Sequence, residues 1–307
     1  MNLAIHNLCN QNCIFCQTQK LIHDKIWQET TEDDVLNQIR EVARKSGEIS
    51  FTGGGEVTML KHLPELIHEA KQLGIQKVSI ETNAVLCAYD NYAKKLKESG
   101  LDSFVVSLHS HKEQVSDFIT QKPGSFRLTI KGINNMAKLG IKLEGVYHTI
   151  TSLNYRHLRE FVGFVKGFGA RLIVFSFIRP IKADQKSASI TPHMTDVRPY
   201  LHSAIDYCKS ESIVAGVSAA LGIPLCFLDG YEEFSHELLA YAAQGPEDFK
   251  KNSLPQKVKG KHCSRCSLDP SCSGVFESYA DIYGTEELAQ SGKELKKLLE
   301  KCKASTS

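Results

Sequence analysis

The chain has 307 residues, 42% of them hydrophobic, which is enough to bury the core of one large domain with an appendage. Its 37 basic and 35 acidic residues leave a formal net charge of +2, so the charge does not indicate a nucleic-acid partner. No apolar run reaches the roughly eighteen residues of a membrane span, and the first residues lack the basic and apolar regions of a signal peptide. We therefore expect a cytoplasmic protein. In that reducing compartment, its ten cysteines are expected to be metal ligands rather than disulfides.

The first 182 residues alternate short apolar runs with longer amphipathic stretches, a pattern typical of strand–helix units around a parallel sheet. Thr31 is expected to cap the first helix, because acidic residues follow it and Val35, Ile39 and Val42 recur at helical spacing. The predicted strands are 3–6, 48–51, 77–80, 103–108, 142–150 and 172–177, and the predicted helices are 31–45, 63–73, 91–99, 125–139 and 155–168.

The remainder of the chain is predicted to be less regular. A polar stretch over residues 181–195 has the composition of a linker. A helix is expected over 196–210 and a short strand over 213–217, and the Lys-rich end of the chain has the pattern of a solvated terminal helix.

Three cysteines near the start are spaced as Cys-x3-Cys-x2-Cys, namely Cys9, Cys13 and Cys16. Thiols at these offsets can converge on one small metal cluster. Iron–sulfur clusters are normally held by four thiolates, and the next cysteine is Cys87, so the spacing indicates a distant fourth ligand or an iron left open. The polar residues 10–12 favour a loop over a helix with packed thiols, and zinc and disulfide alternatives fit the spacing and the compartment less well.

Polar and glycine residues follow several predicted strands. Gly53, Gly54, Gly55 and Glu56 come after the second strand, where glycines would let the backbone pass close to a ligand or simply form a flexible turn. In parallel barrels the residues at the carboxyl ends of the strands line the site, so the corresponding polar residues on later strands are candidates too. They are Thr82, Asn83, Ser107 and Arg179, while His109, His111 and His148 fit either substrate contact or a structural role.

A second cysteine group lies toward the C-terminus. Cys263 and Cys266 form a Cys-x2-Cys knuckle, Cys272 follows, and Cys226 brings the number to four. Four thiolates make a closed ligand set that suits Zn²⁺ or a fully ligated four-iron cluster, and spacing alone does not separate the two.

The first cysteine motif, with the aromatic Phe15 just before its last cysteine, resembles the signature of the radical S-adenosylmethionine (SAM) enzymes. This resemblance implies an α/β fold, a partial (β/α)6 TIM-like barrel with a small C-terminal Cys-rich cluster-binding extension. It also implies a 4Fe-4S cluster on Cys9, Cys13 and Cys16 whose open iron binds SAM. Cleavage of SAM would then give a 5′-deoxyadenosyl radical that abstracts hydrogen from a substrate.

The resemblance assigns roles to the strand-end residues as well. Gly53–Gly55 and Glu56 would hold the amino group of SAM, and Phe15 belongs to the same cofactor site. Thr82, Asn83 and Ser107 match positions that contact the ribose and carboxylate of SAM. Arg179 would bind SAM or an acidic substrate group, with a surface ion pair as the alternative.

The C-terminal cysteines resemble the auxiliary-cluster extensions of radical SAM enzymes, called SPASM or twitch domains. Four cysteines match one auxiliary 4Fe-4S cluster, which departs from the full seven-cysteine SPASM pattern. The expected domains are a radical SAM core over 1–182, a linker and helix over 183–211, an auxiliary-cluster domain over 212–290 and a charged tail over 291–307.

We accordingly predict an oxidoreductase-type radical SAM enzyme that modifies peptides of the ribosomally synthesised (RiPP) kind. A small-molecule dehydrogenase or cyclase is the alternative, and a non-catalytic metal or redox sensor is a third hypothesis that the Gly53–Glu56 segment disfavours. The expected partners are the substrate and an electron donor such as flavodoxin or ferredoxin. Cys208, on a predicted helix, is a candidate hydrogen donor if it faces the barrel mouth, and a packed or exposed thiol is favoured over that role.

Overall fold

The computed structural model describes residues 2–4, 8–18, 31–218, 222–252 and 256–306. The chain divides into two compact units. The first consists of Met1–Tyr147 and Phe164–Arg171, and the second of His148–Gly163 and Leu172–Ser307.

The main sheet has hydrogen-bonded neighbours in chain order, as predicted for consecutive strand–helix units. Its strands are β1 (Asn2–Ala4), β2 (Glu48–Thr52), β3 (Lys77–Thr82), β4 (Ser103–Ser107), β5 (Lys142–Ile150), β6 (Leu172–Phe177) and β7 (Val214–Val217). The pairs from β1–β2 to β4–β5 are parallel, and so is β6–β7. A separate antiparallel pair joins β8 (Lys257–Val258) to β9 (Val275–Phe276).

The helices fall between and after these strands. They are α1 (Glu32–Lys45), α2 (Leu63–Gln72), α3 (Asp90–Glu98), α4 (Glu113–Thr120), α5 (Ser125–Lys138), α6 (Leu158–Lys166), α7 (Gln185–Ile190), α8 (Met194–Ser210), α9 (His236–Asn252), α10 (Glu277–Tyr283) and α11 (Leu295–Thr306). Within the described residues, no helix is long and apolar enough to cross a membrane.

Helix α1 shows how the sequence pattern predicts the start of a helix and its buried face. The Thr31 side chain accepts a hydrogen bond from the Asp34 N–H (3.1 Å), and the Asp34 carboxylate accepts one from the Thr31 N–H (3.2 Å), which completes a capping box. Val35, Ile39 and Val42 are buried, as their helical spacing predicted. The predicted helix start and its core-facing side are therefore confirmed.

Parallel pairing brings the carboxyl ends of the strands of the first unit to one edge. Phe51 lies opposite Ile80, and Thr82 lies opposite Val106. The loops that follow β2, β3 and β4 therefore begin side by side. This register gathers most of the candidate cofactor-binding residues.

The structure differs from the prediction in several places, and helices α9 and α10 and the β8–β9 pair were not predicted. The polar stretch over 181–195 is not irregular throughout, because the Asp184 carboxylate caps α7 by accepting the Ser187 N–H (2.8 Å), and α8 begins at Met194. Helix α4 was missed because it is short and starts without a side-chain cap. The strand predicted over 213–217 is confirmed as β7, which extends the sheet beside β6. Residues 5 and 6 of the first predicted strand lie outside the described residues.

Candidate metal centres and cofactor site

Backbone hydrogen bonds fix the loop that carries the first three cysteines. The N–H groups of Asn12 and Ile14 donate to carbonyls at the C-terminal end of α4, at 3.0 and 2.9 Å. The Cys16 N–H donates to the carbonyl of Cys13 at 2.9 Å, which closes a turn between the last two thiols. The segment is thus a loop pinned to a helix end, as its polar residues predicted.

The three thiols lie close enough together to influence one another. Burial raises the pKa of Cys9 to about 11, and Glu56 and Cys16 add to that rise. Burial also raises the pKa of Cys13 to about 12, to which Cys16 and Cys9 add. The Gln11 N–H also points at the Cys9 sulfur, at 3.4 Å. Half-buried thiols that disfavour each other's negative charge ionise readily only beside a cation, and iron supplies that charge, so the donor set fits an iron–sulfur cluster.

Glu56 is the most heavily hydrogen-bonded side chain of this region, and it is only 3% exposed. Its Oε1 accepts from the N–H of Thr58 (3.1 Å) and from the hydroxyls of Thr58 and Thr82. Its Oε2 accepts from the Asn83 N–H at 2.7 Å. The Glu56 N–H in turn donates to the carbonyl of Leu8 (2.7 Å), just before Cys9. One residue thus joins the ends of β2 and β3 to the start of the cysteine loop.

Asn83 makes a second connection to that loop. Its Nδ2 donates to the Asn10 Oδ1 at 2.7 Å, and its Oδ1 accepts from the Val85 N–H at 3.0 Å. Its carbonyl accepts from the Thr129 hydroxyl of α5 at 2.8 Å. Asn83 therefore links the cysteine loop, the end of β3 and helix α5.

The glycines after β2 allow close backbone packing. A Cβ added to Gly53 would lie 2.9 Å from the Gly55 carbonyl oxygen, closer than real side chains approach. The Thr18 hydroxyl donates to the Gly54 carbonyl, which ties this segment to the residues after Cys16. None of the three glycines has a positive φ, so their small size rather than an unusual backbone conformation explains them.

Phe15 and Ser107 flank the same region. The Phe15 ring meets the His109 ring edge to face, with centroids 4.9 Å apart. Burial lowers the pKa of His109 to about 4, so this imidazole is neutral at pH 7. Ser107, the last residue of β4, lies opposite Tyr147 of β5.

The sequence interpretation left Tyr147 out of the site. The Tyr147 hydroxyl donates to the Glu81 carboxylate at 3.3 Å, although β4 lies between their strands. Burial raises the pKa of Glu81 and raises that of Tyr147 to about 12. No sequence signal sets Glu81 and Tyr147 apart, because both strands carry several other polar residues.

The C-terminal cysteines meet in the second unit. Cys226, Cys263, Cys266 and Cys272 line one cavity together with apolar residues and Lys259. The Cys266 N–H donates to the Cys263 carbonyl (2.9 Å), repeating the turn seen between Cys13 and Cys16.

Neighbouring polar groups fix the geometry of this cavity. The Lys259 ammonium donates to the carbonyl and the carboxylate of Asp269, at 2.9 and 2.8 Å, and so holds the chain between Cys266 and Cys272. Burial raises the pKa of Cys272 to about 12, and Glu237 adds to that rise.

In the described part of the chain, no three His, Cys, Asp or Glu side chains are grouped tightly enough to hold a single metal ion. The four C-terminal thiols instead surround a cavity.

Residues 3–165, just over half of the 307-residue chain, match the family described as "Radical SAM superfamily". The chain belongs to the radical SAM superfamily. Membership of this superfamily supports an enzyme that uses cleavage of SAM, with SAM and the 4Fe-4S cluster of that superfamily as cofactors. The predicted family and class of enzyme are confirmed.

Several curated relatives share part of this sequence. The "Probable GTP 3′,8-cyclase" of Sulfurisphaera tokodaii is 30% identical over 214 residues, which are 69% of this chain and 66% of that protein. The protein of the same name from Sulfolobus acidocaldarius is 26% identical over 208 residues, 66% of this chain and 63% of the relative. The "Fe-coproporphyrin III synthase" of Methanosarcina barkeri is 36% identical over 151 residues, 49% of this chain and 36% of the relative. The chain covers less than two-thirds of the length of each.

Solved structures resemble the chain over nearly its whole length. "Native anSMEcpe with bound AdoMet and Cp18Cys peptide" has a TM-score of 0.60 at 15% identity, covering 99% of this chain and 97% of that one. "Crystal structure of Streptococcus suis SuiB bound to S-adenosylmethionine" has a TM-score of 0.60 at 18% identity, covering 95% and 76%. Identities this low show the fold alone. The predicted partial (β/α)6 TIM-like barrel with a Cys-rich extension is confirmed.

Two further residues predicted for the radical SAM site lie in the second unit. The Arg179 guanidinium donates to the Gln256 side chain (2.6 Å) and lies over the Phe276 ring, 4.9 Å from its centroid. Cys208 is fully buried on α8, and burial raises its pKa to about 12.

We predict that Glu56→Gln destabilises the enzyme. A Gln amide places N–H groups where a carboxylate oxygen now accepts, so at least one buried donor loses its partner, which costs about 1–3 kcal/mol. Chemical denaturation of the metal-free protein measures this. Glu48→Gln, on the strand that precedes Glu56, is the matched control. Because the Glu48 side chain is 68% exposed, this change should alter stability by less than about 0.5 kcal/mol. Equal effects of the two changes would contradict the assigned role.

We predict that Glu81→Gln stabilises the folded enzyme above the folded-state pKa of Glu81. Burial raises that pKa, so the folded state binds the proton more tightly, and parent stability falls as pH rises from the unfolded pKa through the folded pKa. The gain should shrink as the pH drops below the ordinary pKa of glutamate. Denaturation of both proteins across this range measures it, and Glu144→Gln, which breaks a pair with Lys77 (2.7 Å), should give no such gain.

Proposed function

We propose that Cys9, Cys13 and Cys16 hold the 4Fe-4S cluster of this radical SAM enzyme, and that SAM binds beside Phe15 and Ser107. When bound and reduced, the cluster and SAM supply a 5′-deoxyadenosyl radical that abstracts a hydrogen atom from the substrate. The observation that carries this proposal is the pinned loop with three interacting, half-buried thiols next to the strand-end residues. The task of the protein is then to bind and orient SAM and the substrate, and to exclude water.

The residues around the loop divide into two groups in this proposal. The Glu56 carboxylate already accepts four hydrogen bonds, which is the approximate capacity of its two oxygens, so it serves to position the loop rather than to bind the SAM amino group. Thr82 and Asn83 share this positioning role through their bonds to it. The backbone of Gly53–Gly55 remains as the binding surface for that amino group, because glycines allow the close approach.

Glu81 and Tyr147 are proposed as additional polar contacts within the barrel. Glu81 is the next-to-last residue of β3, and Tyr147 lies opposite Ser107, the last residue of β4. Barrel enzymes place their functional groups at this edge of the sheet. A partly buried carboxylate with a raised pKa is suited to accept hydrogen bonds from hydroxyl groups of a cofactor or substrate. Arg179 is retained as a proposed anion-binding residue of the second unit, since it is held in place by Gln256 and Phe276.

For the C-terminal site we propose a fully ligated auxiliary 4Fe-4S cluster on Cys226, Cys263, Cys266 and Cys272, within a domain over residues 212–290. All four thiols line the same cavity, so the ligand set is closed. A closed cluster exchanges electrons rather than binding substrate. It would accept or relay the electron that remains after hydrogen abstraction, which favours net oxidation or bond formation. Iron rather than zinc fits this role.

We propose a peptide as the substrate, in a modification of the RiPP type. Two proteins that resemble the chain along almost all its length, anSMEcpe and SuiB, have been described with bound peptides. Cyclisation of a nucleotide or another small molecule is the second candidate, because curated relatives carry the name "Probable GTP 3′,8-cyclase". An external one-electron donor such as flavodoxin or ferredoxin would reduce the first cluster in either case.

The metal content tests the two proposed clusters. Protein reconstituted anaerobically should hold about eight irons, and the variant with Cys9, Cys13 and Cys16 all changed to Ala should hold about four, because the sites lie on separate ligand sets. Iron and sulfide analysis with zinc measured in parallel decides this. A parent with about four irons and one zinc would make the C-terminal site structural, and the electron-relay role would be withdrawn.

Isotope transfer tests the substrate class. The reduced enzyme is incubated with SAM and either a perdeuterated peptide mixture or perdeuterated GTP, and 5′-deoxyadenosine is analysed by mass spectrometry. We expect deuterium in 5′-deoxyadenosine from the peptide arm, since the radical takes its hydrogen from the bound substrate. The Cys9/Cys13/Cys16 triple variant is the control and should form none. Deuterium from the GTP arm alone would replace the peptide proposal with nucleotide cyclisation.

A further inference from the structure

The cysteine loop contains a buried hydrogen-bond donor that the protein itself does not satisfy. Among the described residues, the side-chain Nδ2 of Asn10 is excluded from solvent and makes no hydrogen bond. Buried amide groups nearly always have partners, so such an atom calls for an explanation. Asn10 directly follows Cys9, which places this donor inside the loop of the proposed first cluster.

The surrounding bonds determine which end of the Asn10 amide is unsatisfied. The Val85 N–H is a donor, so the Asn83 atom that faces it must be the oxygen. The other end of the Asn83 amide is therefore its NH₂ group, and this group faces Asn10 at 2.7 Å. Asn10 must present its own oxygen there. The Asn10 NH₂ group is thus directed away from Asn83 by a chain of bonds that begins at a backbone N–H.

The position of the donor indicates the chemistry of its acceptor. The Cys9 sulfur already accepts a hydrogen bond from the Gln11 backbone N–H at 3.4 Å. The Asn10 backbone N–H also donates to it and lowers the pKa of the thiol. The thiolates and sulfides of a cluster are anionic acceptors that the proposed function would bring to this place. The carboxylate of SAM is the other anionic acceptor that the proposed function brings to the loop, so the experiment must distinguish these two.

We propose that the Asn10 side-chain amide donates a hydrogen bond to a sulfur atom of the cluster held by Cys9, Cys13 and Cys16, and that Asn83 orients it. This inference rests on the proposed function of that loop. Hydrogen bonds to cluster sulfurs are among the factors that set the reduction potential. The bond stabilises the more negative, reduced state, so Asn10 makes the cluster easier to reduce.

A redox titration of the reconstituted enzyme without SAM tests the proposal. The electron paramagnetic resonance signal of the first cluster is identified in a parallel sample as the one that SAM perturbs. Asn10→Leu keeps the side-chain volume and removes the donor. We expect its reduction equilibrium constant to fall about tenfold, which for one electron is a potential about 59 mV more negative.

The matched control is Asn12→Leu in the same loop. Its side chain is exposed, so removing this amide should leave the potential within the error of the parent value. If Asn10→Leu also leaves the potential unchanged, or if both variants shift it equally, the proposal is wrong. An unchanged potential with weaker SAM binding in Asn10→Leu would assign the donor to the SAM carboxylate and overturn the sulfur contact.

A measurement on the unaltered sequence covers the case in which Asn10→Leu does not fold. Enzyme grown with asparagine labelled with ¹⁵N only at the side-chain amide should show a ¹⁵N coupling to the SAM-responsive signal in pulsed spectra. Absence of this coupling would overturn the inference. A parent protein that retains iron at the C-terminal site and shows no SAM-responsive signal would instead refute the proposed function of the loop, and with it this inference.

Discussion

The candidate site depends above all on one buried carboxylate. Glu56 accepts hydrogen bonds from Thr58, Thr82 and Asn83, while its own N–H donates to the carbonyl of Leu8 before the cysteine loop. A buried carboxylate is stable only when its oxygens accept hydrogen bonds. Thr58, Thr82 and Asn83 must therefore stay where they can donate to it. The loop, the end of β2 and the end of β3 are consequently one structural unit.

In this arrangement, the residues that position the cysteine loop differ from the residues that are available to bind SAM and its cluster. Several polar groups at the strand ends are engaged with one another, as Thr82 and Asn83 are with Glu56. Other groups remain available to contact a ligand, such as the side-chain amide of Asn10 and the backbone of Gly53–Gly55. Since SAM and its cluster carry the difficult chemistry, rigid placement of their ligands is the main contribution that the protein makes.

The two cysteine sites use the same local device in different surroundings. In each, a cysteine N–H donates to the carbonyl of the cysteine three residues earlier, so that two thiols share one turn. The first site leaves a three-thiol set at the carboxyl ends of parallel strands. The second completes four thiols around a cavity that Lys259 braces through Asp269. An open set suits a cluster that must bind SAM, and a closed set suits one that only carries electrons.

The sequence alone determined the family, the order of the strand–helix units and both cysteine groups, because these depend on local periodicity and on short spacings of distinctive residues. Helix α1 and its Thr31 cap are examples. Only the tertiary structure revealed the engagement of Glu56, the Glu81–Tyr147 contact and the unsatisfied amide of Asn10. Each of these features depends on residues that are far apart in the chain. Whether a polar side chain can bind a ligand depends on how much of its hydrogen-bonding capacity its neighbours in the fold already use.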